Sequence, residues 1–314
     1  SAKSAISFSF SDLQKKYQFD LNLDHLNLDL FNENLGFGKA IISGDLTIFL
    51  VGNSFDEIQG NLLFKNLKLV NANQSYSYND FIIETKFLNG LRSLKTINSN
   101  LVNFDLYGEF LLSELPYLFQ NAIAEVYSFI PSRKVKLRQN VTFDLSVFSG
   151  NLNAIFPDLS LYDGVSFRGV LSADKQASRL KLNIPKISYK ETSFQNIDFQ
   201  LDNQNPFFNT YLTIGIINTD AFEIKEFITM SKDSKEGLLF RTEFEGGNIA
   251  SNRFELNYIY LPDNNKSTFE LKKSIALING NQWLINPNNE TDHFFEFYNL
   301  TKKFEINKFE ASSG

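Results

Sequence analysis

The chain has no cysteine, one methionine, one tryptophan and seven prolines in 314 residues. Without cysteine, disulfides and thiolate metal sites are excluded, and cytosolic and envelope addresses stay equally open. No apolar run approaches the roughly 18 residues of a membrane-spanning helix. No charged segment followed by an apolar one marks a signal peptide. Blocks of like charge are missing too: 30 Lys and Arg are scattered among 36 Asp and Glu, for a net charge of -6. A nucleic-acid binder needs a basic patch to neutralise phosphates, so that class is excluded. The chain starts at Ser1 and its only methionine is Met230, so it reads as a piece of a longer protein, with any anchor or signal outside it.

Aromatic residues, by contrast, are plentiful. There are 33 Phe and 12 Tyr, a bias toward residues that fit a pleated sheet. Alternation of period two recurs along the whole chain. Phe104 and Leu106 alternate with Asn103 and Asp105, Phe143 and Leu145 with Thr142 and Asp144, and Phe199 and Leu201 with Asp198 and Gln200. Each run reads as an antiparallel strand with one apolar and one polar side, and clusters of Gly, Asn, Asp and Ser separate the runs. The expected fold class is all-β.

The longest run, Tyr17 to Phe31, reads YQFDLNLDHLNLDLF. Phe19, Leu21 and Leu23 hold one parity; Leu26, Leu28 and Leu30 hold the other. A bulge at Asp24-His25 lets a long strand stay paired through such a step. The alternative is two strands joined by a tight turn there, but two residues without Gly make a poor hairpin turn.

One segment departs from the pattern. SELPYLFQNAIAEVYSF places Leu115, Leu118, Phe119, Ala122, Ile123 and Val126 at helical spacing. The expectation is one amphipathic helix of about four turns, capped by Ser113 and stopped by Pro131. A shorter helical turn is expected at LNAIF, 152–156. A weak Gly-x-Leu/Phe repeat also appears, at Gly44, Gly60, Gly108, Gly150 and Gly169. A glycine at such a place marks a bend or a close backbone approach.

Catalytic patterns are scarce. No Gly-x-Ser-x-Gly elbow and no glycine-rich phosphate loop occur, and no carboxylate pair stands out. Glu290, Asp292 and His293 carry metal-ligand chemistry, but neighbours in a strand point to opposite faces and the Asn-rich context reads as a solvated turn. The sequence therefore suggests no enzyme, no cofactor and no metal. What remains is an apolar face too large to leave in water. A second sheet could cover it, giving a closed sandwich that recognises protein or glycan. Otherwise the face lines a trough filled by something else, and periodicity does not choose.

Three stretches bear on that choice. The run NGNQWLINPNNETDHFFEFYNLTKKFEINKFEASSG (279–314) has a Gly-x-x-Trp, an Asn-Pro-Asn turn and two terminal strands. From Ser43 to Pro131 the order is two Gly-x-Leu strands, a Tyr-rich turn, a meander, a Gly-x-Phe and a short helix. FPDLSLYDGVSFRGVL and LKLNIPKISY lie within 156–189. Together these resemble the TamB family of the AsmA-like superfamily, in the large form found in Bacteroidota. The resemblance implies a β-taco, an elongated antiparallel sheet forming a U-shaped hydrophobic groove. It also implies a periplasmic segment anchored to the inner membrane outside this chain, carrying phospholipid acyl chains beside an outer-membrane barrel partner of the TamA/BamA type. Groove strands would fill 1–112 and 132–314, with the helix at 113–131 between them. The groove lining would include Phe19, Leu21, Leu23, Leu26, Leu28, Leu30, Phe104, Leu106, Phe143, Leu145, Phe199 and Leu201. A related role, as a chaperone for outer-membrane barrels through strand addition, is a further alternative.

Overall fold

A computed structural model describes residues 2–10, 14–27, 40–71, 75–127, 129–148, 158–174, 178–234, 237–247, 252–262, 266–298 and 301–313. Leu28, Leu30 and the LNAIF segment lie outside them. The described residues form 23 strands and one short helix, and all the strands belong to one hydrogen-bonded sheet, where a sandwich would have two. Two compact units divide the chain: Ser1–Leu118 with Lys134–Gln176 and Asn183–Lys190, and Phe119–Arg133 with Ala177–Leu182 and Glu191–Gly314.

The first unit carries β1 (Ala2–Phe10), β2 (Lys15–Asn27), β3 (Ile41–Val51), β4 (Gln59–Val70), β5 (Ser75–Ser77), β6 (Phe81–Leu88), β7 (Leu91–Ile97) and β8 (Val102–Glu109). After helix α1 (Leu115–Ala124) come β9 (Asn140–Val147), β10 (Leu159–Leu161), β11 (Val165–Ser172) and β12 (Arg179–Tyr189). Pairing is antiparallel in the order β1-β2-β3-β4-β6-β7-β8-β9-β11; β5 pairs with β4, and β10 pairs with the last residues of β12. Tight turns make this meander possible. Between β6 and β7 the turn is Asn89-Gly90, both at positive φ (53° and 82°), the conformation that matches strand twist in a two-residue hairpin.

The parity step in β2 is a bulge. Leu23 opposes Gly44 and Leu26 opposes Ile42, so Asp24 and His25 share one partner position. A second register shift lies beside it, where β3 meets β4 around Gly44 and Asn66. Gly44 has φ +153°, and a Cβ there would stand 3.0 Å from the Leu67 Cα, so the close approach requires glycine.

The second unit carries β13 (Thr192–Asp202), β14 (Thr210–Asn218), β15 (Glu223–Ser234), β16 (Gly237–Gly247), β17 (Arg253–Pro262) and β18 (Lys266–Leu271). It ends with β19 (Ser274–Ile278), β20 (Asn281–Ile285), β21 (Phe294–Tyr298), β22 (Lys303–Ile306) and β23 (Ala311–Ser313). Strands β13 to β17 run as a plain meander. Strand β17 then pairs with both β18 and β19, which lead to β21-β22 and to β20-β23 respectively. Trp283 packs at this branch against the buried cluster Leu271, Ala276 and Ile285, the packing role its place at a strand end suggests.

The helix is shorter than its sequence pattern predicts. It spans ten residues, Leu115–Ala124, rather than four turns. Ser113 does not cap it: both its amide and its hydroxyl donate to the Asp56 carboxylate, at 2.9 and 2.7 Å. Nor does Pro131 stop it. The chain has already turned, and it folds back so that Gln120 donates to the Pro131 carbonyl, while the Asn121 side chain bonds both backbone groups of Arg133. These side-chain bonds hold the returning 131–133 stretch against the helix.

Candidate functional site: the apolar face of the sheet

Directly paired residues of antiparallel strands point to the same side, so register carries a face from strand to strand. In the first unit Tyr17 opposes Leu50, and the row continues through Gly60, Thr85, Leu94, Leu106, Phe143 and Gly169. Beside it runs Phe19–Ile48–Leu62–Ile83, and further along Phe104–Leu145–Phe167 and Val102–Val147–Val165. Residues two apart in a strand share a face, which adds Leu21 and Leu23. Leu26 joins them because the bulge restores its side. Phe19, Leu21, Leu23, Leu26, Phe104, Leu106, Phe143 and Leu145 therefore lie on one face of one sheet.

The glycines of the Gly-x-Leu/Phe repeat lie on that same face. Gly44 pairs with Leu23, Gly60 with Leu50, Gly108 with Val141 and Gly169 with Phe143. Each leaves a gap in the apolar lining, and at Gly44, Gly60 and Gly108 neighbouring backbone comes close. Gly150 lies outside the described residues.

Most of these apolar residues are only half-buried. Phe143 is 4% exposed, but Phe19, Leu21, Leu23, Leu26, Phe104, Leu106 and Leu145 all retain substantial access. Their ring contacts run along the sheet: Phe64 stacks on its paired neighbour Phe81 at 4.6 Å, and Phe143 meets Phe167 edge-on at 4.9 Å. Each half-covered Phe or Leu forgoes roughly 1 kcal/mol of the transfer energy that full burial would give.

The opposite face is mixed, carrying Phe49, Leu63, Ile82 and Ile97 as well as an internally bonded polar group. Thr47 donates to Asp20 at 2.8 Å; Asn22 and Asn66 both donate to Asp45, at 2.7 and 3.0 Å, and these two amides hold the Asp45 carboxyl below its usual range. A depression of about 530 Å³ is lined mainly by residues of this side, Asp105, Tyr107, Thr142, Asp144, Arg168 and Val170, and also touches Phe143 and Gly169 of the apolar row.

Both ends of the apolar face carry buried material. Ala40, Leu69 and Tyr78 form a small core near the bulges, and burial pushes the Tyr78 phenol up to about 12. At Gly108 the row contains Arg92, fully buried, whose guanidinium donates to the Asp56 and Ile58 carbonyls and to Thr85 at 2.7 Å. Its planar fork ties the 52–58 loop to the sheet.

In the second unit the face that holds Phe199 and Leu201 is mixed. Phe199 leads the row Leu212–Thr229–Thr242–Leu256, and Leu201 leads Thr210–Ser231–Phe240–Tyr258–Leu271. Aromatic rings stack between neighbouring strands, Phe240 on Tyr258 at 5.2 Å and Phe244 on Phe254 at 4.7 Å. Between them the hydroxyls satisfy one another: Thr210 with Ser231 at 2.5 Å, Thr229 with Thr242 at 2.8 Å. Leu201 is 1% exposed. The segment after α1 covers part of this face, with the Tyr127 hydroxyl 3.0 Å from Thr210 and the Phe129 ring edge-on to Tyr260 at 5.9 Å.

No family model, no curated protein and no solved structure matches the chain. Its function must be argued from its own geometry.

The sequence reading missed two features. Arg92 carries no motif, and only its burial marks it. Glu310 lies seventeen residues after His293, yet its carboxylate comes within 3.9 Å of the His293 ring. His293 itself is 1% exposed, which corrects the expectation of a solvated turn at this position.

Proposed function

We propose that the chain is a segment of a TamB-like bridge protein that holds phospholipid acyl chains along the apolar face of its sheet. The observation that carries this reading is the half-burial of Phe19, Leu21, Leu23, Phe104, Leu106 and Leu145 on one continuous face. An acyl chain laid against those side chains gains about 0.8 kcal/mol for each methylene removed from water. The mechanism is passive: lipid slides along the lining, and no bond is made or broken. The periplasmic address, the anchor in the inner membrane and the TamA/BamA-type partner belong to the same proposal and rest on the resemblance of the three sequence stretches. No helix among the described residues is long and apolar enough to cross a membrane. In the second unit Tyr127 and Phe129 narrow the accessible lining, so the half-buried lining of the first unit is the main binding surface.

The test is mass spectrometry of an organic extract from detergent-free protein, repeated on Leu21→Asp and Phe104→Asp. Both positions are half-exposed, so a carboxylate there reaches water and the backbone pairing survives. Near-stoichiometric phospholipid in the parent and its loss from folded variants is the expected result. A clean extract from folded parent protein overturns the lipid reading. Function would then move to protein binding, for which exposed Phe304 and Ile306 on β22 offer an apolar strand surface.

A further inference from the structure

We propose that Glu290, His293 and Glu310 form a binding site for a divalent cation of the zinc class. One donor atom from each lies within 4.8 Å of the other two. Acidic clusters on a surface are common and by themselves mean little. The distinguishing feature is the histidine: His293 is 1% exposed, and neither ring nitrogen has a hydrogen-bond partner. A buried imidazole without partners is costly, and nearly all buried polar atoms avoid it.

The surroundings give each nitrogen a role. Asp292 Oδ1 lies 3.1 Å from Nδ1 but off the hydrogen-bonding direction, and Glu310 Oε2 lies 3.9 Å from Nε2. A small ring rotation lets Nδ1–H donate to Asp292 and leaves the Nε2 lone pair directed at Glu310. This is the carboxylate–imidazole–metal arrangement that fixes the tautomer of a ligating histidine. An imidazole with two carboxylates suits zinc; calcium and magnesium prefer oxygen alone. Tetrahedral bonds of about 2.1 Å set donors roughly 3.4 Å apart, so the two glutamates must close by about 1 Å. Both are free to do so, with side chains 41% and 46% exposed.

Charge points the same way. Glu290, Asp292 and Glu310 surround the ammonium of Lys308, which ion-pairs with Glu290 and lies 3.5 Å from Asp292 and 4.0 Å from Glu310. Three carboxylates against one ammonium leave two negative charges uncompensated, which draws a divalent cation to the cluster. Lys308 competes with that cation for the Glu290 carboxylate.

The frame is rigid. Asn286 is fully buried; its amide donates to the Leu271 and Glu290 carbonyls, and its oxygen accepts from the Glu290 amide, each at 2.8 Å. The Asn286 backbone N–H in turn donates to the Glu310 carbonyl at 3.0 Å, and the Asn307 side chain donates to the Asp292 carbonyl. A bound ion would staple the turn before β21 to the segment entering β23.

Equilibrium dialysis of the whole chain against Zn²⁺, with Co²⁺ absorption as a geometry probe, tests the site. One equivalent bound and an intense tetrahedral Co²⁺ spectrum are expected, for the parent and equally for His25→Gln. Glu310→Gln should weaken binding at least tenfold, and Asp292→Asn by roughly tenfold. Lys308→Met should bind several-fold tighter. His293→Gln removes a buried side chain and could unfold the turn, so exposed Glu310 provides the deciding variant. Absence of a stoichiometric ion, or binding that survives Glu310→Gln or disappears with His25→Gln, overturns the proposal.

Discussion

Leu23 and Leu26 point to the same side of β2, three residues apart in a strand whose faces alternate every two. Asp24 and His25 absorb the extra step, both exposed, and the bulge thus keeps the apolar face unbroken where the sequence parity reverses.

Deleting His25 alone should therefore be tolerated, because Asp24 then opposes Ser43 and Leu23 and Leu26, now two apart, stay on the apolar side. Deleting Asp24 and His25 together makes the two leucines neighbours, so Leu26 turns to the polar side and the chain loses about 1–3 kcal/mol. His25→Ala touches only an exposed side chain and should stay within about 0.5 kcal/mol of the parent. Urea midpoints of the three variants decide the matter. Equal midpoints for the single and double deletions would mean that strand parity does not set the face.

Gly108, like Gly60, carries a sharp backbone constraint within the Gly-x-Leu/Phe repeat. Its φ is +150°, and a Cβ would fall 2.0 Å from the Asn140 carbonyl oxygen. Gly108→Ala should cost about 3 kcal/mol, combining left-handed strain with displacement of β9. Gly90 is the control, at φ +82° with nothing within 4 Å of its Cβ. Gly90→Ala should cost about 1–2 kcal/mol, the strain alone. Thermal unfolding of both separates clash from strain, and equal losses would refute the close approach.

These two positions also show how far the sequence could be read. Alternation of period two is written residue by residue, so the strands, the apolar parity and even the Asp24-His25 step are legible. That Phe19 and Phe143 share a face is not, because it depends on the register of every strand between them. Helix length is not legible for a similar reason: Leu115 to Val126 keeps helical spacing, whereas the bonds of Gln120 and Asn121 to Pro131 and Arg133 depend on where the returning chain lies. The Glu290–His293–Glu310 cluster was half legible: two members sit in one motif, and the third arrives only because β23 pairs with β20.

Asn286 holds the turn that frames this cluster. Asn286→Ala would strand the Leu271 carbonyl, the Glu290 amide and the Glu290 carbonyl, with buried orphans costing about 1–3 kcal/mol each. A loss of about 3 kcal/mol is expected, together with faster amide exchange of Glu290. Asn286→Asp keeps the acceptor for the Glu290 amide but sets a buried carboxylate oxygen against the Leu271 and Glu290 carbonyl oxygens, so it should cost at least as much as the alanine at neutral pH. A variant ladder without that order would remove Asn286 from its framing role.

Glu296 contributes to the acid response of the second unit. Its carboxylate accepts from Lys266, from Tyr298 at 2.9 Å and from Thr268 at 3.2 Å. The Lys266 bond first, then that of Tyr298, holds its pKa below the ordinary 4.5. A depressed folded pKa means that the unfolded chain takes up the proton first as pH falls. The contribution is thus complete above about 4.5 and is lost as pH drops through the folded value. Glu296→Gln should be less stable than the parent at neutral pH, with the difference narrowing below that point. Tyr298 reports the same contact from the alkaline side. Glu296, followed by Glu305, pushes its phenol up to about 12, so stability tied to the neutral phenol is complete below the ordinary value of 10.0 and is lost as pH rises toward 12. In Glu296→Gln the phenol should ionise at lower pH, as an ultraviolet titration would read directly. If the variant keeps the parent's acid limb and its phenolate midpoint, the Lys266–Glu296–Tyr298 contact has no energetic coupling to folding.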